Sequence, residues 1–270
     1  MKKLITLAAV AALFGGAALY LNSNSKPSGN GLNGRKVLPA FKVADVAKIT
    51  VGDKLALSAG EKGWTIDSWR GYPASREKIA ENLLKLQDLK VGQVARGESL
   101  KDAPSIVVAD GAGKTLASLP LGRKHMRVPK GEAAMYGGYP DGRYVGFEGQ
   151  TVLVTDSLDA FDAGPKSWCE TKIVDEPWIS FDDLADEALT EADFGFATGV
   201  VARVTIAGDT NRTVTVGAAL KDSSKRYLKL DNADWVYVVP SYSVEKLLPK
   251  PAIDEKKAED DGAVNVSTDK

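Results

Sequence analysis

Four stretches carry side chains whose types could do chemistry. Gly113-Lys114-Thr115 has the ending of a phosphate-binding loop. Such a loop needs a glycine five residues before Gly113, and Val108 stands there. It also needs to open a helix whose N-terminal N–H groups cradle phosphate, whereas this stretch leads into a strand pattern. It reads as a hairpin turn. Arg123-Lys124-His125-Met126-Arg127 is a basic cluster after a strand, suited to an acidic headgroup or an anionic partner. The plainer expectation is a solvated loop. His125 is the one histidine and has the chemistry of a general base, but the sequence places no serine beside it. Asp182, Asp183, Asp186, Glu187, Glu191 and Asp193 form an acidic stretch without the Asp-x-Asp-x-Asp-Gly pattern of a calcium loop. On a helix Asp183 and Glu187 would repel each other at i,i+4, so a solvated face is expected. Cys169, with only Lys172 near it to lower a thiol pKa, reads as packing. No residue is assigned as catalytic, cofactor-binding or metal-binding, and no cofactor is expected.

Composition narrows the classes further. The 270 residues are 44% hydrophobic and 26% charged, as in ordinary globular proteins. The 35 basic and 36 acidic side chains leave a net charge of −1, without the basic surplus of a protein that lives on nucleic acid. One Cys cannot make an internal disulfide, and one Cys with one His cannot supply a four-ligand structural zinc site.

The N-terminus has the pattern of an export signal. Lys2 and Lys3 precede an uncharged run from Leu4 to Leu21, which as a helix would reach roughly 27 Å, just short of a bilayer core. The basic pair is the positive region that stays inside. Gly15-Gly16-Ala17 offers small residues for a signal peptidase, whereas Leu19, Tyr20 and Leu21 extend the run and favour an uncleaved anchor. Residues 1–21 are therefore expected to be a signal anchor or signal peptide, and 22–36 a flexible linker rich in Asn, Ser and Gly. Residues 37–250 form the folded body, and 251–270 a polar, charged tail expected to be disordered.

Inside the body, period-two alternation broken by turn residues predicts β-hairpins. Ala47–Val51 turns at Gly52-Asp53 into Leu55–Leu57, and Gly60–Gly63 turns into Trp64–Ile66. Ser105–Ala109 returns as Thr115–Leu121, and Arg143–Phe147 returns as Thr151–Thr155 across Glu148-Gly149. Ser75 to Lys90 predicts a helix capped by Ser75, with Ile79, Leu83, Leu86 and Lys90 on one stripe and Leu84 and Leu89 beside it. Shorter helices are expected at Ser157–Phe161, Phe181–Leu189 and Ser243–Leu248. The Trp residues at 64, 168, 178 and 235 read as core or hairpin anchors.

The body also repeats. Arg143-Tyr144-Val145 returns as Arg226-Tyr227-Leu228 at an offset of 83, and Val152-Leu153-Val154 as Val236-Tyr237-Val238 at an offset of 84. The hairpin Ser105–Leu121 matches Ala202–Val216, and the stretch Ile49–Leu89 is a looser third version. The expected fold class is α+β: mainly antiparallel hairpins with short covering helices in two or three internally repeated lobes, plus one N-terminal hydrophobic helix. The repeated units are expected at about 41–100, 101–175 and 195–250.

The run VADVAKITVG, the hairpin ending at Gly63-Trp64 and the stretch YPASREKIAENLLKLQDLK resemble the start of the exported bacterial domain-of-unknown-function family 4340. Thr151–Asp175 resembles its middle, with Trp168 as the tryptophan after a short helix. The resemblance spans Leu38 to Leu248 in loose hydrophobic motifs and departs from the family in the insert Asp182–Asp193. It implies no established activity and supplies no catalytic residues. It implies an envelope accessory protein, since many members are encoded beside gliding-motility-type ABC transporters. The functional expectation is a non-enzymatic, membrane-tethered extracytoplasmic binding or scaffold protein, accessory to an ABC-type transport system. Its partners would be transporter subunits, and it would sit at the inner membrane facing the periplasm or exterior. An extracytoplasmic hydrolase with carboxylate or Ser-Lys chemistry, or a ligand-binding protein secreted after signal cleavage, are the alternatives.

Overall fold

The structure, a computed structural model, describes residues 31–174, 179, 181–205, 211–231 and 233–249. The hydrophobic segment 1–21, most of the expected linker, Trp178 and the tail 251–270 lie outside the described residues. Among those described, no helix is long and apolar enough to cross a membrane. The chain divides after Cys169 into two compact units, each built on an antiparallel sheet with few short helices. The fold is α+β and rich in sheet.

The first unit holds β1 (Val46–Val51), β2 (Leu55–Gly60), β3 (Gly63–Ile66), β4 (Tyr72–Pro73), helix α1 (Arg76–Asp88), β5 (Val91–Val94), β6 (Ser105–Asp110), β7 (Thr115–Arg127), β8 (Tyr139–Phe147) and β9 (Gln150–Val154). Its nine strands lie in the order β4-β3-β2-β1-β6-β7-β8-β9-β5. Alternation buries Ile49, Val51, Leu57, Ile106, Val108 and Leu119 while their neighbours face outward. Ser75 caps α1 by accepting from Lys78 N, and Ile79, Leu83 and Leu86 of the predicted stripe are buried, as is Leu89 just past the helix; α1 ends at Asp88, so Lys90 falls outside it, and Leu84 is exposed. Residues 31–37, the end of the stretch expected as a linker, are part of this unit. Leu32 and Val37 are buried, Gly34 N donates to Val91 O at 2.7 Å, and Val91 N donates to Arg35 O at 2.9 Å. Trp168 is buried, donates from Nε1 to Ala160 O at 3.1 Å and packs on Phe161. Its own carbonyl accepts from Ser75 N at 2.8 Å, which ties it to the start of α1.

The second unit holds β10 (Asp183–Leu184), helix α2 (Glu191–Phe194), β11 (Val200–Thr205), β12 (Asn211–Ala219), β13 (Lys225–Leu230), β14 (Val236–Pro240) and helix α3 (Ser241–Val244), in the sheet order β10-β14-β13-β12-β11. This is the order of the last five strands of the first sheet, read as β5-β9-β8-β7-β6. The registers agree as well. Arg143 faces Val154 and Arg226 faces Val239; Val145 faces Val152 and Leu228 faces Tyr237. The second strand of each hairpin therefore corresponds at an offset of 85 (154 to 239), not the 84 read from the sequence. The slip matters because one residue exchanges the two faces of a strand. The second hairpin is longer by two residues, since Arg143 and Val154 are 11 apart and Arg226 and Val239 are 13 apart, and no sequence pattern locates the extra residues.

Both units also share a bulge. Four residues of β7, from Leu121 to Lys124, span three of β8, from Val145 to Arg143. Four residues of β12, from Val216 to Ala219, span three of β13, from Leu228 to Arg226. A glycine follows the first residue of each bulge. A Cβ on Gly122 would lie 2.6 Å from Leu100 Cδ2 and 2.9 Å from Tyr144 O, and one on Gly217 would lie 2.2 Å from Phe194 O. In each unit the segment that connects the outer strand (β5 or β10) to the meander crosses over this glycine, and only a residue without a side chain leaves it room.

Several local expectations are corrected. Phe181–Leu189 is not a helix: Asp183 and Leu184 pair with Val238 and Tyr237, and Asp186 Oδ1 accepts from Ala188 N at 2.9 Å to close a turn. The repulsion of Asp183 and Glu187 on one helix face does not arise. Ser157–Phe161 shortens to the 3-10 turn Asp159–Phe161, because Leu158 takes a left-handed φ of 53°. The helix expected at Ser243–Leu248 begins earlier, as α3, and continues as the 3-10 turn Glu245–Leu247. The basic run Arg123–Arg127 is not a loop: it is the outer half of β7, paired with β8.

Candidate functional site

The densest polar arrangement of the first unit lies where β7, β8 and the turn after β9 meet. Pairing across the bulge brings Arg143 and Lys124 opposite each other. The Arg143 side chain is only 6% exposed and is held by four hydrogen bonds. Two run in parallel to Asp162, Nη1 to Oδ2 at 2.7 Å and Nη2 to Oδ1 at 2.8 Å. Nε donates to Gly122 O at 2.8 Å and Nη1 to Ser157 O at 3.2 Å. This two-toothed geometry suits a planar guanidinium and would be lost with lysine. Lys124 sits beside the pair, bonded to Asp159 and 3.2 Å from Asp162 Oδ2. Ser157 Oγ donates to Asp159 Oδ2 at 2.6 Å.

The electrostatics of this cluster favour the charged forms of Lys124, Asp159 and Asp162. The Lys124 ammonium and the Ser157 hydroxyl hold the Asp159 carboxyl below its ordinary range. Burial pushes the Asp162 carboxyl up, but hydrogen bonds from Arg143 and Lys124 outweigh it and leave it lowered. The hydrogen bond to Asp159 raises the Lys124 ammonium. A general acid or base works with a pKa moved toward neutrality, and these groups move away from it.

An open groove lies nearby in the same unit, with a volume of about 750 Å³. Its walls are the crossover Glu98–Lys101, β7 at Ser118 and Pro120, and the β8–β9 turn from Gly146 to Thr151. Both of its acidic residues are engaged. Glu98 receives Arg123, whose guanidinium also lies 4.9 Å from the Tyr144 ring centre. Glu148 pairs with Arg35, which stacks over Phe147 at 5.2 Å. Ser99 Oγ accepts from Lys101 N at 3.2 Å.

The residues singled out from the sequence are therefore dispersed. Arg123 pairs with Glu98, Lys124 with Asp159, and Arg127 with Asp141 at 3.2 Å, so the basic run is matched internally by acids. His125 Nδ1 lies 3.0 Å from Tyr144 Oη, and the rings meet edge to face. The acidic stretch of the second unit is spent in the same way. Asp182 pairs with Lys225, Glu191 with Lys229 at 2.6 Å, and Asp193 closes a capping box with Thr190. Among the described residues no group of three or more His, Cys, Asp or Glu is placed to hold a metal ion. Gly113-Lys114-Thr115 forms the β6–β7 turn, with Asp110 Oδ1 accepting from Lys114 N at 2.9 Å. Cys169 is buried.

Sequence reading misses the Arg143–Asp162 pair, the Arg35–Glu148 pair and the engagement of Glu98. Arg143 is visible as half of a repeated Arg-Tyr, but nothing in the sequence joins it to a carboxylate 19 residues away. The comparisons add no relative: the chain matches no known protein family, no curated protein and no solved structure.

Proposed function

We propose that this chain is a binding or scaffold module of the cell envelope, held at the membrane by residues 1–21 and serving an ABC-type transport system without catalysing a reaction itself. The observation that carries the reading is the state of the charged groups around β7: each cation is matched to an acid, and the titratable groups of the Arg143 cluster are held away from neutrality. Such pairs hold two sheet strands and their turns in one geometry, which suits a presenting surface more than a reacting one. The basic pair and apolar run at the N-terminus support export, and the resemblance of Leu38–Leu248 supports the transporter context.

The body is, on this reading, a duplicated meander. Shared strand order, shared register, a bulge at equivalent glycines and an arginine aimed at each bulge carbonyl support descent of both units from one ancestor. The hairpins β1–β3 with α1 form a third lobe, related more loosely.

The test is isolation of the full chain from its native membranes in a mild detergent, with identification of what stays bound. Transporter subunits are expected to remain, and to be lost when residues 1–21 are replaced by a cleavable signal. A chain that comes away alone, with a processed N-terminus, contradicts the tethered role and moves weight to a secreted ligand-binding protein or hydrolase.

A further inference from the structure

The β7–β8 pair outgrows the sheet that carries it. Among the described residues, β7 has no strand partner on its β6 side past Leu121, and β8 has none on its β9 side before Arg143. The two strands go on alone as a ribbon, Met126 opposite Pro140 and Arg127 opposite Tyr139, closed through the 3-10 turn Gly131–Tyr136. From Arg143 to Tyr139 the ribbon extends about 13 Å beyond the sheet. The second meander has no such ribbon. Ala219 and Arg226 stand where Lys124 and Arg143 do, and residues 220–225 make the turn between them, against residues 125–142 in the first unit. The meander therefore closes without a ribbon, and the additional residues need another reason.

The end of the ribbon is apolar and open. Met126, Val128, Met135 and Tyr139 are large apolar side chains that stay exposed, Met135 to 88% and Val128 to 66%. A cluster of this kind marks an interaction site. Directly opposite residues of a ribbon share a face and successive ones alternate. Exposed Met126 and Pro140 therefore lie on one face and exposed Tyr139 on the other. Arg127, opposite Tyr139, is matched by Asp141, so the apolar side chains are what the ribbon offers. A protein partner lies against one face of a ribbon. A bilayer interface surrounds its end, and accepts tyrosine and apolar side chains to a depth of about 5–10 Å, within the reach of this ribbon.

We propose that the end of the β7–β8 ribbon dips into the interface of the bilayer that holds the chain. The inference rests on the reading of residues 1–21 as a membrane anchor. The lengths agree with it. From Leu21 to Gly31 the chain spans at most about 35 Å. Residues 34–37 line β5, and Arg35, Val91, Val154 and Arg143 follow one another across the strands, so Arg35 is level with the base of the ribbon. Three strand spacings and the four residues from Arg143 to Tyr139 put Arg35 roughly 20 Å from Tyr139. The tether can therefore bring the apolar run and the ribbon to one membrane surface.

The test uses the full chain in vesicles of phosphatidylethanolamine and phosphatidylglycerol that carry a spin label on the acyl chain. A fluorophore is attached at Met135→Cys or, as the reference, at Lys114→Cys in the β6–β7 turn, at the opposite end of β7. The unsubstituted chain, whose Cys169 is buried, is the blank. Flotation shows whether the membrane holds the chain. The proposal expects the chain to float and the label at position 135 to be quenched at least about twofold more than the label at 114. It also expects Val128→Asp with Tyr139→Asp to remove that difference. A chain that floats with equal quenching at both positions would overturn the insertion and leave the ribbon to a protein partner. A chain that does not float would overturn the anchor reading, and the insertion with it.

Discussion

Arg143 and Arg226 stand at the same place in two meanders, and their surroundings differ. Each donates to the carbonyl of the bulge glycine across from it, Arg143 Nε to Gly122 O at 2.8 Å and Arg226 Nη1 to Gly217 O at 2.9 Å. In the first unit the guanidinium continues into a buried two-toothed pair with Asp162, flanked by Lys124 and Asp159. In the second unit Ala219 stands where Lys124 does, and the bond to Gly217 is the one hydrogen bond of the Arg226 side chain among the described residues. The comparison separates two jobs. Tying down a bulge needs only the arginine and a carbonyl. Fixing the turn after the last strand needs the acids as well, and among the described residues only the first unit shows them.

The largest effect expected from breaking this difference is at Asp162. Asp162→Ala leaves a buried guanidinium without its acid, which typically costs about 3–5 kcal/mol. With Asp162 itself 36% exposed, about 3 kcal/mol is expected. Hydrogen exchange should show the loss in β8 and β9 as faster opening. Next come the bulge glycines. Gly217→Ala should cost about 2–3 kcal/mol, because the clash is with the backbone carbonyl of Phe194. Gly122→Ala should cost less, about 1–2 kcal/mol, since the end of Leu100 can move and the nearest backbone atom, Tyr144 O, is 2.9 Å away against 2.2 Å at Gly217. Urea unfolding of the two variants checks the order. Arg226→Met should cost only about 1 kcal/mol, the value of one ordinary hydrogen bond, and should leave exchange in the first unit unchanged.

The smallest effect is the pH response of the charged cluster. Asp159 and Asp162 have lowered folded-state values, so their contribution is present above the ordinary carboxylate range and is lost as pH falls through the folded values, below about 4. Acid titration followed by exchange in β8 should show this loss. In Asp159→Asn with Asp162→Asn it should flatten from an already weaker starting point.

Much of this architecture can be read from the residues because its causes are local. Alternation with turn residues locates β1 to β3, β6, β8 and β9, and the stripe Ile79, Leu83, Leu86 behind Ser75 locates α1. The outer half of β7 escapes such a reading because Arg123-Lys124-His125-Met126-Arg127 lacks an apolar face, and its strand state is imposed by pairing with β8. Phe181–Leu189 looks helical for the opposite reason: apolar residues at helical spacing are set there by a crossover that packs Leu189, Phe194 and Phe196 on Tyr227 and Val238. The register of the second hairpin and the pairing of Arg143 with Asp162 depend on loop length and a bulge, which no residue pattern announces.

The relation between the two meanders is tested most directly by cross-strand nuclear Overhauser contacts in a uniformly labelled chain. The account places Arg226 opposite Val239 and Arg143 opposite Val154, with Ala219 facing Arg226 as Lys124 faces Arg143. Contacts that put Val238 opposite Arg226, or a continuous ladder through Gly217 without a bulge, would contradict the equivalence of the two units.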